Sequence, residues 1–326
     1  MRVLVTGSAG FVGHHVTRRF LADGHEVVGL DRLNYSGNLN RMSDSLPEGS
    51  KYKSVNHDLR SEVNSIVAKQ LGEFDYIIHI AASSHVDRSI EDPLSFVLDN
   101  VVGTCNILNF ARLQTNLKLF NYFSTDEVFG PAPPGVFYDE YDRYNSTNPY
   151  SASKAGGEEL AVAFRNTYKM PVVVTHTMNV FGPRQHPEKF IPMCINKIRN
   201  GETVHIHSNA EKTKAGSRFY IHGEDVADAL VFIINSESGE AETCPKFNIV
   251  GKEEVDNLTL AQYIATALGK ELKYEMVDFH SARPGHDLRY ALSGKRLEEM
   301  GWVPQKSLGE RINEVVKWCI ERPEWM

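Results

Sequence analysis

The chain has few cysteines, and they lie far apart. Its 326 residues contain 4 cysteines, at positions 105, 194, 244 and 319, and no two of them form a CxxC pair. Zinc sites and disulfide scaffolds usually need closely spaced cysteines. We therefore predict neither a metal site nor a disulfide framework.

An excess of basic residues and long apolar runs are also lacking. The formal net charge is −7 and the basic residues are dispersed, whereas a nucleic-acid partner would require a basic stripe. No apolar run approaches the ~20 residues of a membrane span. A strand is predicted from the first residues, which leaves no room for a signal peptide. We expect a soluble, cytoplasmic protein with no nucleic-acid or membrane partner.

What is present is an alternation of short apolar runs with longer amphipathic stretches. The predicted strands lie near residues 3–5, 26–31, 52–55, 76–80, 117–123 and 172–175, and the predicted helices near 11–22, 62–71, 93–111 and 151–168. Strands that alternate with helices indicate a parallel sheet covered by helices on both faces. The predicted fold class is α/β, with a Rossmann-type doubly wound parallel sheet.

The pattern loosens after about His176, which predicts a second, smaller mixed α/β domain for the substrate. We place the cofactor domain at residues 1–177, joined by a returning segment at about 219–250. The substrate domain then comprises residues 178–218 and 251–326. No flexible linker is apparent, so we expect the two parts to pack around a cleft.

A glycine-rich turn separates the first predicted strand from the first helix. Residues 6–13 read TGSAGFVG, and glycines there allow a tight turn and close approach of the backbone to a pyrophosphate at the helix N-terminus. Asp31 ends the second strand, where a carboxylate binds an adenosine ribose and repels a 2′-phosphate. The turn thus predicts NAD rather than NADP, a preference that Arg32 would weaken; a plain loop with a helix cap is the alternative. The predicted contacts in the turn are Gly7, Gly10, Phe11, Val12 and Gly13.

Two further strand ends fit the same cofactor site. Asp58 and Leu59 follow the third strand, within reach of an adenine edge. Ala81 and Ala82 follow the fourth strand and are small enough for a cofactor to pass closely. For Asp58, a helix cap is the competing interpretation.

Residues suited to acid/base chemistry follow the fifth strand and begin the next helix. Asp126 and Glu127 are adjacent carboxylates at the end of an apolar run, which suits acid/base catalysis, although a solvated strand end is the alternative. Tyr150 and Lys154 share one helical face, so the ammonium should favour the phenolate and lower the pKa of Tyr150. With the glycine turn, this pair resembles the short-chain dehydrogenase/reductase superfamily, in which Thr125 would bind the reacting hydroxyl.

The resemblance becomes more specific over nearly the whole chain. The sequence is similar to extended short-chain dehydrogenases of the nucleotide-sugar type, and most of all to the dTDP-glucose 4,6-dehydratases. The matching segments are residues 6–13, 31–39, 84–89, 124–130, 150–154, 179–183, 187–192 and 283–290. The resemblance implies NAD as cofactor, Asn34 among its contacts, and a homodimer formed through the helices near 93–111 and 151–168.

The resemblance also implies a mechanism. Tyr150, tuned by Lys154, takes the proton of the sugar 4-hydroxyl as hydride moves from carbon 4 to NAD. Glu127 then removes the proton on carbon 5, and Asp126 protonates the leaving 6-hydroxyl. Hydride returns to carbon 6 and a 4-keto-6-deoxy sugar results. This division requires a protonated Asp126 and an ionised Glu127.

Nine residues match positions that bind the nucleotide-sugar substrate in these enzymes. They are Ser84, His85, Asn179, Lys189, Phe190, His207, Arg218, Arg283 and His286. The guanidinium of arginine can donate two hydrogen bonds to phosphate oxygens, and the ammonium of lysine supplies a localised positive charge. For a single cation the alternative is an exposed surface residue, and for His286 it is a hydrogen-bonded structural histidine.

Several departures from the pattern affect substrate choice. Ser84 replaces an acid, and His207 replaces a tyrosine that stacks on the base. The loop 208–217 is longer than usual, Phe129 replaces a tyrosine, and Met178 replaces a small polar residue. The nucleotide and the hexose therefore stay open at this point.

Three functions compete. A 4,6-dehydratase is favoured because epimerases typically carry small residues in place of the acid pair. A 4-epimerase or a 5,6-dehydratase of the same superfamily is the second interpretation, and a non-catalytic protein that binds NAD and nucleotide sugars is the third.

Overall fold

A parallel sheet of seven strands forms the centre of the larger part of the molecule. The computed structural model describes residues 1–43, 46, 48–237, 243–278 and 289–326. The strands of this sheet are β1 (Arg2–Thr6), β2 (Glu26–Asp31), β3 (Tyr52–Asn56), β4 (Tyr76–His79), β5 (Leu119–Thr125), β6 (Val172–Thr177) and β10 (Lys246–Ile249). Their order is β10-β6-β5-β4-β1-β2-β3, and each neighbouring pair is parallel. The predicted Rossmann-type fold is confirmed.

Helices cover both faces of this sheet. They are α1 (Phe11–Ala22), α2 (Asn40–Ser43), α3 (Ser65–Leu71), α4 (Val86–Glu91), α5 (Pro93–Val97), α6 (Gly103–Ala111), α7 (Pro149–Tyr168) and α9 (Gly223–Ser236). The apolar positions Val16 and Phe20 of α1 are buried in the core that α9 also joins, because their spacing places them on one helical face. Helix α7 begins after Asn148, which accepts the backbone N–H of Ser151 in a capping box.

The stretch Pro93–Ala111 forms one continuous helical run. A π-helical turn, Leu98–Val102, joins α5 to α6. Among the described residues, this run is long and apolar enough to cross a membrane by length and composition, and 44% of it is buried inside the protein. The expectation that no apolar run approaches that length was therefore wrong for this segment. In the structure the run packs against α7 and β4.

A smaller part of the molecule contains two short sheets. Its strands are β7 (Asn179–Phe181), β8 (Val204–Ser208), β9 (Ser217–His222), β11 (Glu254–Asp256) and β12 (Tyr274–Asp278). One sheet has the order β11-β9-β7 and the other pairs β12 with β8. Its helices are α8 (Phe190–Arg199), α10 (Asn257–Leu268), α11 (Lys295–Glu299) and α12 (Leu308–Glu321). A separate apolar core lies between α8, α10 and α12.

The chain crosses between the two parts more than once. After the chain has formed β7, α8, β8 and β9 in the smaller part, it returns to the larger part. There α9 packs against α1, and β10 pairs with β6 in the large sheet. β9, where the predicted returning segment 219–250 begins, pairs with β7 and β11 in the smaller part. The domain boundaries given above stay a prediction. The carboxyl ends of the parallel strands meet at one edge, where ligands bind in folds of this class.

Candidate active site

A cavity of about 530 Å³ opens at the carboxyl ends of the parallel strands and extends to the smaller part. It is lined by the predicted catalytic residues Thr125, Asp126, Glu127, Tyr150 and Lys154, by the predicted cofactor residues Gly7, Gly10, Phe11, Val12, Gly13, Asp31, Asn34, Asp58, Leu59, Ala81 and Ala82, and by Ser84, His85, Asn179, Lys189, Phe190 and Arg218. His207 lies half-buried on β8 and does not line it. Arg283 and His286 lie outside the described residues.

The glycine turn is shaped by close backbone contacts. Gly7 has a φ of 72°, and a Cβ atom there would lie 2.9 Å from the Cα of Ala81. A Cβ at Gly13 would lie 2.0 Å from the carbonyl oxygen of Gly7. No side chain caps α1 at Gly10, which leaves backbone N–H groups of its first turn for phosphate oxygens. The turn therefore fits a pyrophosphate.

The carboxylate of Asp31 lies at the ribose end of this turn. Its Oδ2 accepts the backbone N–H of Ala9 at 3.1 Å, and its Oδ1 accepts that of Leu33 at 2.8 Å. Both guanidinium amines of Arg32 donate to Asp99 at 2.6 Å. Because Asp99 neutralises Arg32, the donor set around Asp31 fits a free ribose hydroxyl better than a 2′-phosphate.

Lys154 and Tyr150 are both buried at the start of α7. The Nζ atom of Lys154 donates to the carbonyl of Phe123 at 2.7 Å and lies 4.4 Å from the ring centre of Tyr122. Burial lowers the pKa of Lys154 to about 7, although Glu158 opposes that shift. This lysine is thus a cation whose charge depends on its neighbours.

The expectation that Lys154 lowers the pKa of Tyr150 was wrong for the structure described. Burial and the charge of Glu127 raise the pKa of Tyr150 above its ordinary value, while a hydrogen bond with Thr125 lowers it. The phenol of Tyr150 is therefore neutral in this structure. An added positive charge beside it is needed before it can act as a base.

Asp126 and Glu127 have different surroundings despite being adjacent. Asp126 is buried and accepts the hydroxyl of Thr125 at 3.0 Å. Burial raises the pKa of Asp126 to about 6, with Thr125 and Arg218 opposing. Glu127 is only half-buried, and its Oε2 accepts the side-chain amide of Asn148 at 3.0 Å. The pair thus contains one carboxyl that favours its proton and one held by an amide donor.

Arg41 lines the cavity and was not among the residues predicted from the sequence. Its side chain is buried at the cavity wall and donates to the carbonyl oxygens of Ala9 at 2.9 Å, Ser36 at 2.6 Å and Arg184 at 3.1 Å. These contacts join the glycine turn to the loop after β2 and to the smaller part. No local pattern in the sequence indicates this role, because its partners lie up to 143 positions away.

A second missed group lies at the mouth of the cavity. The guanidinium of Arg88 lies 3.7 Å from the ring centre of Tyr35 and 3.7 Å from a carboxylate oxygen of Glu188. Glu188 also lies 3.8 Å from the imidazole of His85. Tyr35, Arg88 and Glu188, which we term the mouth group, connect the loop after β2, helix α4 and the segment before α8.

The departures predicted to affect substrate choice fall in different places. Met178 and Ser84 line the cavity. Phe129 is fully buried, with its ring stacked on Tyr138 at 5.8 Å between centres. In the loop 208–217, Oδ1 of Asn209 accepts backbone N–H groups of Thr213 and Lys214.

Comparison with known proteins identifies the family of this chain. The profile of the NAD dependent epimerase/dehydratase family matches residues 3–249. The chain belongs to this family. NAD is the cofactor that the family description specifies, and the glycine turn and Asp31 fit it.

Individual relatives cover the whole chain. A dTDP-glucose 4,6-dehydratase of Salmonella typhimurium is 34% identical over 100% of this chain and 94% of its own length. A dTDP-glucose 4,6-dehydratase of Streptomyces venezuelae, solved with NAD bound, is 32% identical with a TM-score of 0.88, covering 100% of this chain and 98% of its own. A UDP-glucose 4-epimerase of Thermus thermophilus, solved with NAD, is 28% identical with a TM-score of 0.86 over 98% of each chain.

Proposed function

We propose that this protein is an NAD-dependent NDP-hexose 4,6-dehydratase that produces a 4-keto-6-deoxy sugar. The observation that carries the proposal is the unequal acid pair. Burial raises the pKa of Asp126 to about 6. Glu127 is more exposed, and its carboxylate accepts a hydrogen bond from the side-chain amide of Asn148. Removal of water from adjacent carbons needs one group to take a proton and another to give one.

The first step assigned to the protein is removal of the proton from the sugar 4-hydroxyl. Thr125 and Tyr150 interact through their side chains, so both can contact one substrate oxygen. Lys154 lies one helical turn after Tyr150 on the same face of α7. When bound, NAD would supply a positively charged ring and would serve as the hydride acceptor and, later, the hydride donor.

The elimination step is assigned to the acid pair. A ketone at carbon 4 acidifies the proton on carbon 5, which Glu127 removes. Asp126 gives its proton to the departing 6-hydroxyl, so that water leaves from carbon 6. Arg218, whose charge acts on Asp126 and whose guanidinium lies 4.8 Å from the ring centre of Tyr290, borders the same end of the cavity.

The substrate is proposed as a nucleotide-diphosphate hexose held by the smaller part. Asn179, Lys189 and Arg218 line the cavity on that side, where cations suit a diphosphate. His207, Arg283 and His286 stay predicted contacts to the nucleotide. The names of the relatives favour dTDP-glucose as the first candidate, with UDP, CDP and GDP sugars next.

The experiment is incubation with a panel of nucleotide-linked hexoses in deuterated water, followed by mass spectrometry. We expect one nucleotide sugar to lose water and gain one deuterium, without accumulation of NADH. A product of unchanged mass and altered configuration would instead identify a 4-epimerase. Loss of water without a 4-ketone would identify a 5,6-dehydratase.

We also propose that the protein is a cytoplasmic homodimer. Apolar side chains on the Pro93–Ala111 run stay exposed, with Leu94 at 65% and Val97 at 43%, and burying them against a second copy would remove them from water. Light scattering after size-exclusion chromatography should give twice the mass of one chain, and Leu94→Glu should lower the measured mass toward that of a single chain.

The proposed location is tested by cell fractionation, in which we expect the protein in the soluble cytoplasmic fraction.

A further inference from the structure

A fully buried carboxylate lies behind the catalytic residues, outside the cavity lining. Glu158 is on α7, one helical turn after Lys154, and has no exposed surface. Its Oε2 accepts the hydroxyl of Ser124 at 2.8 Å, and its Oε1 accepts the ammonium of Lys246 at 2.9 Å. A buried charge is costly unless it is paired and hydrogen-bonded, so this site is built around an anion.

Two more donors complete the surroundings of Glu158. The hydroxyl of Tyr144 donates to Oε1, and Nε2 of His176 lies 3.2 Å from Oε2. Burial alone would raise the pKa of Glu158, but His176, Lys246 and Tyr144 hold it below its usual range. We call Glu158 with these four partners the Glu158 cluster.

The Glu158 cluster joins the two elements that carry the catalytic residues. Ser124 is the neighbour of Thr125 at the end of β5, and Glu158 shares α7 with Tyr150 and Lys154. Lys246 and His176 belong to β10 and β6, the next strands of the sheet. The cluster therefore fixes the end of β5 against α7.

The charge of Glu158 also acts on Lys154. Burial lowers the pKa of Lys154 to about 7, and the carboxylate of Glu158 opposes that shift. The ammonium itself contacts the carbonyl of Phe123 and the ring face of Tyr122, both of which are neutral. On β4, the buried imidazole of His79 is hydrogen-bonded to Thr6 and Thr104, and its own pKa is lowered by burial and by the charge of Lys154.

We propose that Glu158 is a positioning residue that keeps Lys154 protonated and holds the catalytic end of β5 against α7. The meaning of this role for catalysis rests on the proposed function. The protonation of Lys154 itself is measurable whether or not any sugar is turned over. Glu158 does not line the cavity, which separates it from the catalytic residues.

The test is a pH titration of Lys154 by ¹³C NMR in protein carrying lysine labelled at Cε, with NAD left as purified. The Lys154 signal is assigned by its loss in Lys154→Met. Glu158→Gln removes the negative charge, so the midpoint of Lys154 should fall by roughly 1 pH unit or more. Lys246→Met removes a competing cation and leaves the carboxylate, so the midpoint should rise.

Tyr144→Phe is the matched control, because it removes the hydroxyl that bonds Glu158 and Lys246 and changes no charge. Its Lys154 midpoint should stay near that of the unchanged protein. Opposite shifts in Glu158→Gln and Lys246→Met support the inference; no shift, or shifts in one direction, overturns it. If Glu158→Gln fails to fold, the comparison of the Lys154 midpoint in Lys246→Met with that in Tyr144→Phe still tests the inference. A higher midpoint in Lys246→Met supports it, and equal midpoints overturn it.

The same variants are run on the nucleotide-sugar panel. Failure of every sugar to react with the unchanged protein would contradict the proposed function and leave the titration result valid. A turnover that is unchanged in a well-folded Glu158→Gln would overturn the positioning role even if dehydration is established. The two hypotheses are thus separated by independent readings.

Discussion

At the residue scale, the chemistry depends on how the protein distributes burial between two neighbouring carboxyl groups. Asp126 is buried under Thr125, whereas the side chain of Glu127 is half-buried and held by Asn148. Strand β5 ends at Thr125, and a short 3-10 helix, Asp126–Phe129, follows it. The two carboxyl groups are consecutive in this helix but have different surroundings. The pKa of Asp126 is the clearest result of that separation.

Glu127→Gln should stop water loss while hydride removal from carbon 4 continues. Glutamine keeps the shape of the side chain and cannot take the proton from carbon 5, so a loss of about 10²–10⁴-fold in dehydration is expected. Product mass spectrometry measures dehydration, and absorbance at 340 nm measures the reduced cofactor that accumulates. Normal turnover in this variant would contradict the assignment of Glu127 as the base.

Asp126→Asn should lose dehydration yet gain stability. The native pKa of about 6, against an ordinary 3.8, means that the ionised form destabilises the fold by about 3 kcal/mol above pH 6. The native state binds the proton first as the pH falls, so the gain should shrink from pH 6 and vanish near pH 4. Urea unfolding at pH 8, 6 and 4 measures it.

The control for this prediction is Asp139→Asn, at an exposed position. Its free energy of unfolding should change little across the same range. Equal stability of Asp126→Asn and the unchanged protein at pH 8 would show that burial of Asp126 carries no cost.

At the element scale, three segments that border the cavity contact one another. The mouth group, Tyr35, Arg88 and Glu188, is partly exposed, and each contact of this kind contributes about 1 kcal/mol or less. Together with Arg41, these residues hold the loop after β2 over the cofactor residues. In the proposed reaction NAD must stay bound through two hydride transfers. Contacts that hold the loop after β2 in place would slow the release of NAD.

Arg88→Met should speed the release of NAD without removing the fold. Methionine keeps part of the apolar stem and removes both the ring contact with Tyr35 and the charge contact with Glu188. The dissociation rate, measured by trapping released NAD with an excess of an unrelated NAD-binding enzyme, should rise by up to about fivefold. Arg322→Met, at the end of α12, is the control and should leave the rate unchanged.

At the scale of the whole molecule, the fold buries several imidazoles. His14, His15, His79 and His222 are all buried, and burial is the first cause that lowers the pKa of each. Burial lowers the pKa of His15 and of His79 to about 3. Such groups stay neutral in the folded protein where the unfolded chain would bind protons.

The protein should therefore lose stability steeply as the pH falls below about 6.5. In that range the unfolded state binds more protons, and each such histidine adds about 1.4 kcal/mol per pH unit to the loss until its folded pKa is reached. Urea unfolding at pH 7.5, 6.5 and 5.5 measures the slope. A flat profile across this range would contradict the neutral burial of these residues.

His222→Asn tests one of the four groups. Nδ1 of His222 accepts the N–H of Glu224 at the start of α9, and asparagine is a good cap that can accept the same bond. The slope of the free energy of unfolding against pH should decrease by the contribution of one histidine. His205→Asn, at an exposed position on β8, is the control and should leave the slope unchanged.

Much of the fold is readable in the sequence because its signals are local. Residues 11–22 form the helix that their periodicity predicts, and Asp31 ends its strand as predicted. Other boundaries moved: α3 begins at Ser65 rather than near 62, and β5 extends to Thr125. Caps and last turns depend on contacts that a periodic pattern does not contain.

The candidate site was predicted less completely than the fold. The glycine turn, the acid pair and the Tyr150–Lys154 helix come together at one cavity, as expected. Arg41, the mouth group and Glu158 were missed, since each acts through partners far away in the sequence. The pKa of Tyr150 moved opposite to expectation because burial outweighs a nearby cation.

The sequence by itself determined the order of strands and helices, the glycine turn, and the identity of the residues able to move protons. These features depend on neighbours a few positions apart along the chain. Only the tertiary structure decided which carboxyl keeps its proton, how Lys154 is held, and that Ser124, Tyr144, His176 and Lys246 surround Glu158. Burial and the pairing of buried charges arise when crossover connections bring distant strands side by side, and no local pattern encodes them.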